Sequence, residues 1–205
     1  LRLQTKIEEE ARENDLWWAA LERRAPGQHP PDRFMRLTLP IGPGQQSNLG
    51  LRRQRRYRDH VTRLIAQAMV SKAPPPDLSE HLSASASSPE PSHAEQLAGN
   101  VCALCKGGCC TKGGESAYLS PDTIRRFMAL HPPLRPRDVL AAYLYRLSPK
   151  TQRGSCINHT AQGCSLPREM RSDTCNHYLC ATQKELHSRL EDDPPLRGVI
   201  AIQRL

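Results

Sequence analysis

All eight cysteines of this chain fall between Cys102 and Cys180, and none lies in the first 101 residues. That one-sidedness constrains the fold more than any other feature. Cys102-Ala103-Leu104-Cys105-Lys106-Gly107-Gly108-Cys109-Cys110 sets four thiols in nine residues, with two glycines between the pairs. Glycine admits positive φ, so the chain can reverse there and bring neighbouring sulfurs together. Thiolates are preferred soft ligands of zinc, at about 2.3 Å, and they also hold iron–sulfur clusters. Cys156, Cys164, Cys175 and Cys180 supply four more. Aromatic residues make up 4% of the 205 and there are 18 prolines, so a large apolar core is not expected. Bound metal is the less demanding way to stabilise such a chain.

Four disulfides in a secreted domain are the competing use of eight cysteines. The vicinal pair Cys109-Cys110 suits them poorly. Leu1 to Glu10 is polar, with three consecutive glutamates, and has no leader pattern. The expectation is a cytoplasmic protein with reduced thiols. No apolar run approaches the length of a membrane span, so no membrane partner is expected.

The pattern along the chain predicts mainly α structure with irregular metal-binding loops. Residues 1–72 read as a helical, partly disordered N-terminal extension. It comprises a helix over 4–24, an irregular Pro- and Gly-rich stretch over 25–50, and a second helix over 51–72. In the second helix Tyr57, Val61, Leu64, Ile65 and Ala68 form one apolar face. Residues 73–99, with Pro74-Pro75-Pro76 and a Ser/Ala run, have the composition of a disordered linker. A small cysteine-cluster domain is expected over 100–190, and 191–205 is a short strand or tail. Inside that domain, Ser120-Pro121-Asp122 is a helix start: a hydroxyl cap, a proline at the first helical position and an acid in the first turn. Another helix is expected over 136–147, loop over 149–170, and one helix from about Ser172 to Leu190.

Cys175 and Cys180 would stand about 140° apart on one continuous helix, so either the helix starts between them or they serve different ligand sets. The cysteine spacing is not that of a radical S-adenosylmethionine enzyme or a zinc ribbon. His159 and His177 lie close enough in sequence to act as additional ligands. The order Cys102-x2-Cys105-x3-Cys109-Cys110, then Cys156, Cys164-Ser165-Leu166, Arg171-Ser172 and Cys175-Asn176-His177-Tyr178-Leu179-Cys180, resembles the YkgJ-type cysteine-cluster family of bacteria. The resemblance covers roughly 101–185. It implies a zinc- or iron-chelating domain with all eight cysteines at family cysteine positions. Pro167, Ser172 and Asn176 stand where that family has tyrosine, proline and arginine.

Function is therefore expected to be metal chelation by Cys102, Cys105, Cys109, Cys110, Cys156, Cys164, Cys175 and Cys180, with an iron–sulfur cluster or zinc as cofactor. A metal-dependent protein-modifying enzyme, by analogy with flagellin lysine N-methylase, is one alternative. No general base, nucleophile or phosphate loop stands out to support it. Nucleic-acid binding is the other, since the formal charge is +8 and Arg52, Arg53, Arg55, Arg56 and Arg58 crowd one helix start. Cations there oppose the helix dipole, so local stability does not account for them. A protein partner on the N-terminal helices is a further expectation.

Overall fold

The computed structural model describes residues 2–28, 33–40, 42, 44–74, 76, 78, 93–191 and 196–204. The chain is mainly α. Helix α1 spans Arg2–Arg24 and α2 spans Leu51–Val70. After them come α3 at His93–Cys105, α4 at Pro121–Leu130 and α5 at Pro136–Tyr145. Two more helices close the series, the short α6 at Asp173–His177 and α7 at Ala181–Leu190. Among the described residues, no helix is long and apolar enough to cross a membrane.

Two apolar clusters organise these elements. In the first, α2 presents Tyr57, Val61, Leu64, Ile65 and Ala68, the face predicted from its spacing, and all five are buried. Ile124 and Phe127 of α4 meet them, with Val139 and Tyr143 of α5. The start of α4 follows the sequence closely. Ser120 Oγ accepts the Thr123 N–H at 3.2 Å, the Thr123 hydroxyl accepts the Ser120 N–H at 3.3 Å, and Pro121 leads the helix. That reciprocal cap satisfies two amides that the first turn leaves without helical partners.

The second cluster rests on two strands, the first not expected and the second one of two alternatives for its region. Strand β1, Phe34–Pro40, lies within the stretch read as irregular, and β6, Gly198–Arg204, within the region left between strand and tail. They pair in parallel, Phe34 opposite Gly198 through Pro40 opposite Arg204. Met35, Leu37 and Leu39 alternate inward on β1 and are covered by Ala98 and Val101 of α3, Leu186 of α7 and Leu196. A parallel pair needs a long crossover, and here the crossover is the whole intervening chain. Residues 1–72 are consequently not set apart: α2 packs in the first cluster and β1 in the second, each against the cysteine-bearing half. Helix α1 joins at its C-terminal end, where Arg36 of β1 bonds Glu22 at 2.7 Å and lies 5.5 Å from the Trp18 ring centroid.

Other differences from expectation are local. Helix α3 begins at His93, inside the stretch read as linker; residues 79–92 of that linker lie outside the described residues. The region 149–170 is not plain loop. Strand β3, Lys150–Gln152, pairs antiparallel with β2, Gln46–Asn48, and β4, His159–Thr160, forms a hairpin with β5, Gly163–Cys164. The expected 172–190 helix is two helices, broken at Tyr178–Cys180.

Candidate metal centre

The site begins at one turn. Helix α3 ends at Cys105, after which Lys106 and Gly107 both adopt left-handed backbone, φ 49° and 69°. For a lysine this costs roughly 1–2 kcal/mol, so the surrounding contacts must impose it. The reversal drops Cys109 and Cys110 into the 3-10 turn Gly108–Lys112. Cys102 and Cys105 are thus on a helix end, not in the irregular loop expected for them. Gly42 presses on this turn: a Cβ there would lie 2.6 Å from the Lys106 carbonyl oxygen and would also strike that of Cys105.

Backbone hydrogen bonds lace the turn to the downstream cysteines. The Cys156 N–H donates to the Cys110 carbonyl at 3.0 Å, and the Ile157 N–H to that of Gly114 at 2.8 Å. Gly113 lies against Cys156, where a Cβ would come within 3.2 Å of its sulfur. Cys164 returns on β5 opposite His159. Cys175 sits in the first turn of α6, its N–H bonded to Ser172 Oγ at 3.1 Å and its sulfur 3.9 Å from the Ala117 carbonyl oxygen. Cys180 is the N-cap of α7. One turn on, Gln183 donates from Nε2 to Cys102 Sγ at 3.1 Å and to the Ala98 carbonyl at 3.0 Å, tying α7 to α3.

The sulfurs share one electrostatic neighbourhood. Burial raises the Cys102 thiol, and charge on Cys180, Cys109 or Cys105 raises it further. Cys156 is pushed up to about 11, chiefly by burial; the Asn158 N–H opposes the shift, while Cys164 and Cys175 add to it. Cys175 rises by burial, with Cys164 and Cys109 contributing. Cys109 goes the other way, lowered by the hydrogen bond it shares with the Cys110 thiol, and Cys110 is raised by the same contact and by burial. Thiolates crowded in a half-buried space repel one another, and a cation reverses that penalty.

All eight thiols are free. Backbone N–H groups already point at the sulfurs of Cys109 and Cys156. This donor chemistry fits a soft or borderline transition metal. The side chains are gathered rather than closed: among the described residues, no three His, Cys, Asp or Glu groups stand as a ready coordination set.

The two candidate histidines separate. His177 is exposed at the end of α6, whereas His159 is buried beside the turn with Nδ1 at 2.8 Å from Ser155 Oγ. Ser155, Gln183 and Gly42 carry no motif, and their roles depend on partners far away in sequence. Of the arginine cluster, Arg53 belongs to the fold, bonding Glu115 at 2.9 Å and the Ser155 carbonyl at 2.7 Å. Arg52, Arg55, Arg56 and Arg58 are exposed. No family model matches the chain, and no curated protein or solved structure shows significant similarity to it.

Proposed function

We propose that this chain is a metal-chelating cysteine-cluster protein, holding zinc or an iron–sulfur cluster in the manner of the YkgJ-type family it resembles. The ligands are drawn from Cys102, Cys105, Cys109, Cys110, Cys156, Cys164, Cys175 and Cys180. The observations that support the reading are that all eight thiols are free and that hydrogen bonds tie the Cys102–Cys110 segment to Cys156 and, through Gln183, to α7. A bound cation supplies the positive charge that these crowded sulfurs lack. The turn 106–119 and the segment 150–180, with its short strands and turns, are then metal-binding regions whose order depends on the ion. A reducing, cytoplasmic setting goes with the reading, because the thiols must be available as thiolates.

Anaerobic purification, a visible spectrum and elemental analysis test it. Iron–sulfur charge-transfer absorbance, or about one zinc or more per chain, is the expected result. Less than a quarter equivalent of iron plus zinc, or four disulfides by mass spectrometry, refutes the proposal.

Nucleic-acid binding has one observation in its favour, the exposed Arg52, Arg55, Arg56 and Arg58. Retained binding to single-stranded RNA at about 150 mM salt, lost on replacing these four by glutamine, would promote it.

A further inference from the structure

We infer that Arg56 and Arg63 are the charged wall of an anion site that takes the phosphate monoester of a small molecule. The site is formed without any cysteine and does not depend on the chelating function proposed above.

A cavity of about 320 Å³ opens between helix α2 and the loop that follows the Gly108–Lys112 turn. Arg56, Asp59, His60 and Arg63 line it from the helix, and Glu115 and Ser116 line it from the loop. Arg56, His60 and Arg63 recur at i, i+4 and i+7, so one face of α2 carries all three. The two arginines start about 10 Å apart along the helix axis, within reach of one ligand between them. The loop wall is held in place. Ser116 Oγ donates to the Gly113 carbonyl at 3.1 Å, and the Ala117 N–H donates to the same carbonyl at 2.8 Å.

Charge decides what such a cavity can hold. Two carboxylates line it, but each is engaged by an arginine outside the lining: Glu115 bonds Arg53 at 2.9 Å, and Asp59 lies 3.5 Å from Arg58. Among the described residues, neither Arg56 nor Arg63 has an ion-pair partner. Four arginines thus meet two carboxylates, and the two charges left over are those inside the cavity. His60 adds none at neutral pH. Burial lowers its pKa and the Arg63 charge lowers it further, against the Leu119 and Ser116 carbonyls. A phosphate monoester carries roughly −1.5 to −2 at pH 7, which matches the surplus. Guanidinium forks hold phosphate oxygens two at a time, and a monoester offers three. A diester carries a single charge. The cavity also lies at the small end of ligand sites, which run to about 300–1,000 Å³, so a compact monoester suits it better than a nucleic-acid backbone.

Isothermal titration calorimetry of the full chain with phenyl phosphate, at about 50 mM salt to limit screening, tests this. Saturable binding of one molecule per chain is expected, with the diester diphenyl phosphate weaker by roughly 10-fold or more. Both arginines are exposed, so Arg56→Gln and Arg63→Gln leave the apolar core untouched, and each should weaken phenyl phosphate by roughly 10-fold or more. Arg52→Gln, on the same helix but outside the lining, should change the affinity by less than about 3-fold. Absence of phenyl phosphate binding overturns the inference, whether or not the chain holds metal. So does diphenyl phosphate binding as tightly as the monoester, or Arg52→Gln weakening it as much as Arg56→Gln, which would reveal a diffuse basic face. A single-stranded RNA that binds through Arg56 and Arg63 while phenyl phosphate does not would overturn it in favour of nucleic-acid binding.

Discussion

In the α2–α4–α5 cluster Tyr57, Val61, Ile124, Val139 and Tyr143 are completely enclosed, whereas of the eight cysteines only Cys156 is buried. The two regions touch, yet they are stabilised differently. The helical cluster removes whole side chains from water, at roughly 1.5–3 kcal/mol for each large apolar residue. The cysteine region has loops, two-residue strands, left-handed backbone at Lys106, Ala117 and Tyr118, and thiols that destabilise one another once ionised. Hydrophobic burial accounts for the first region. The second adds to its share of that burial a set of backbone hydrogen bonds, and under the chelating function proposed above an ion as well.

On the chelating function proposed above, the most severe way to break this comparison is to take the metal away. Structural zinc can supply on the order of 10 kcal/mol of folding free energy. Stripping with a thiophilic chelator should therefore unprotect amides of Gly108–Lys112 and of the Cys156–Cys164 segment in hydrogen exchange. Amides of α2 should keep most of their protection. Equal loss in both regions would show that the helical cluster does not stand without the metal, and no change in either would show that the cysteine region does not need it.

Tyr57 is where the regions are joined. Its ring is enclosed in the helical cluster, and its hydroxyl oxygen accepts a hydrogen bond from Asn158 Nδ2 at 3.3 Å in the cysteine loop. Tyr57→Ala should cost about 3–5 kcal/mol in urea unfolding, from lost burial and the cavity left behind. Tyr57→Phe keeps the packing and removes only the link, so about 1 kcal/mol is expected. If the joint is functional as well as structural, the phenylalanine variant also loosens metal retention. If it is purely structural, retention is unchanged.

The helical cluster was legible in the sequence because its signals are local. The spacing of Tyr57, Val61, Leu64, Ile65 and Ala68, and the Ser120-Pro121 start, each lie within one helix. Strand β1 was not, although Met35, Leu37 and Leu39 alternate as a half-buried strand should, and β6 was left open between strand and tail. Proline and glycine around them suggested a linker, and the partner strand lies more than 150 residues away. Helix α3 was hidden by its own cysteines: Leu97, Ala98 and Val101 have helical spacing, but the adjoining cluster suggested loop. The break at Tyr178–Cys180 has no proline or glycine to announce it. The eight cysteines could be named as a set from sequence, whereas the setting of His159 depends on Ser155 and a hairpin register that only the fold supplies.

Gly42 sharpens the comparison in the irregular Pro- and Gly-rich stretch 25–50. A Cβ there meets backbone carbonyls at the end of α3, while one on Gly44 meets nothing within 4 Å. Carbonyls of a helix end cannot move aside as a flexible side chain can. Gly42→Ala should cost about 1–3 kcal/mol through overpacking and displace the Lys106 reversal, with weaker metal retention as a result. Gly44→Ala should be neutral in both measurements. Equal behaviour of the two would mean that the close approach of Gly42 to the turn does not matter in solution.

The smallest effect belongs to the helical side and serves as its control. Ser120→Ala removes the oxygen that accepts the Thr123 N–H, and with it one half of the reciprocal cap. Replacing such a cap by alanine typically costs about 1 kcal/mol. Thr123 is itself completely buried, so its N–H cannot turn to bulk water for a substitute partner. The loss should therefore sit at the upper part of the usual 0.5–2 kcal/mol range. Helix α4 packs on α2, in the same apolar cluster as Cys156, and Arg126, also buried, bonds Asp173 and the Arg171 carbonyl beside Cys175. A cap lost at the first turn should leave Arg126 in place, two residues after Ile124 has locked the helix into the core. The denaturation midpoint should fall while metal content and spectrum stay as in the wild-type chain. A Ser120→Ala chain that loses metal would show that the helical cluster positions the cysteines through α4, and that the two regions are coupled more tightly than their different means of stabilisation suggest.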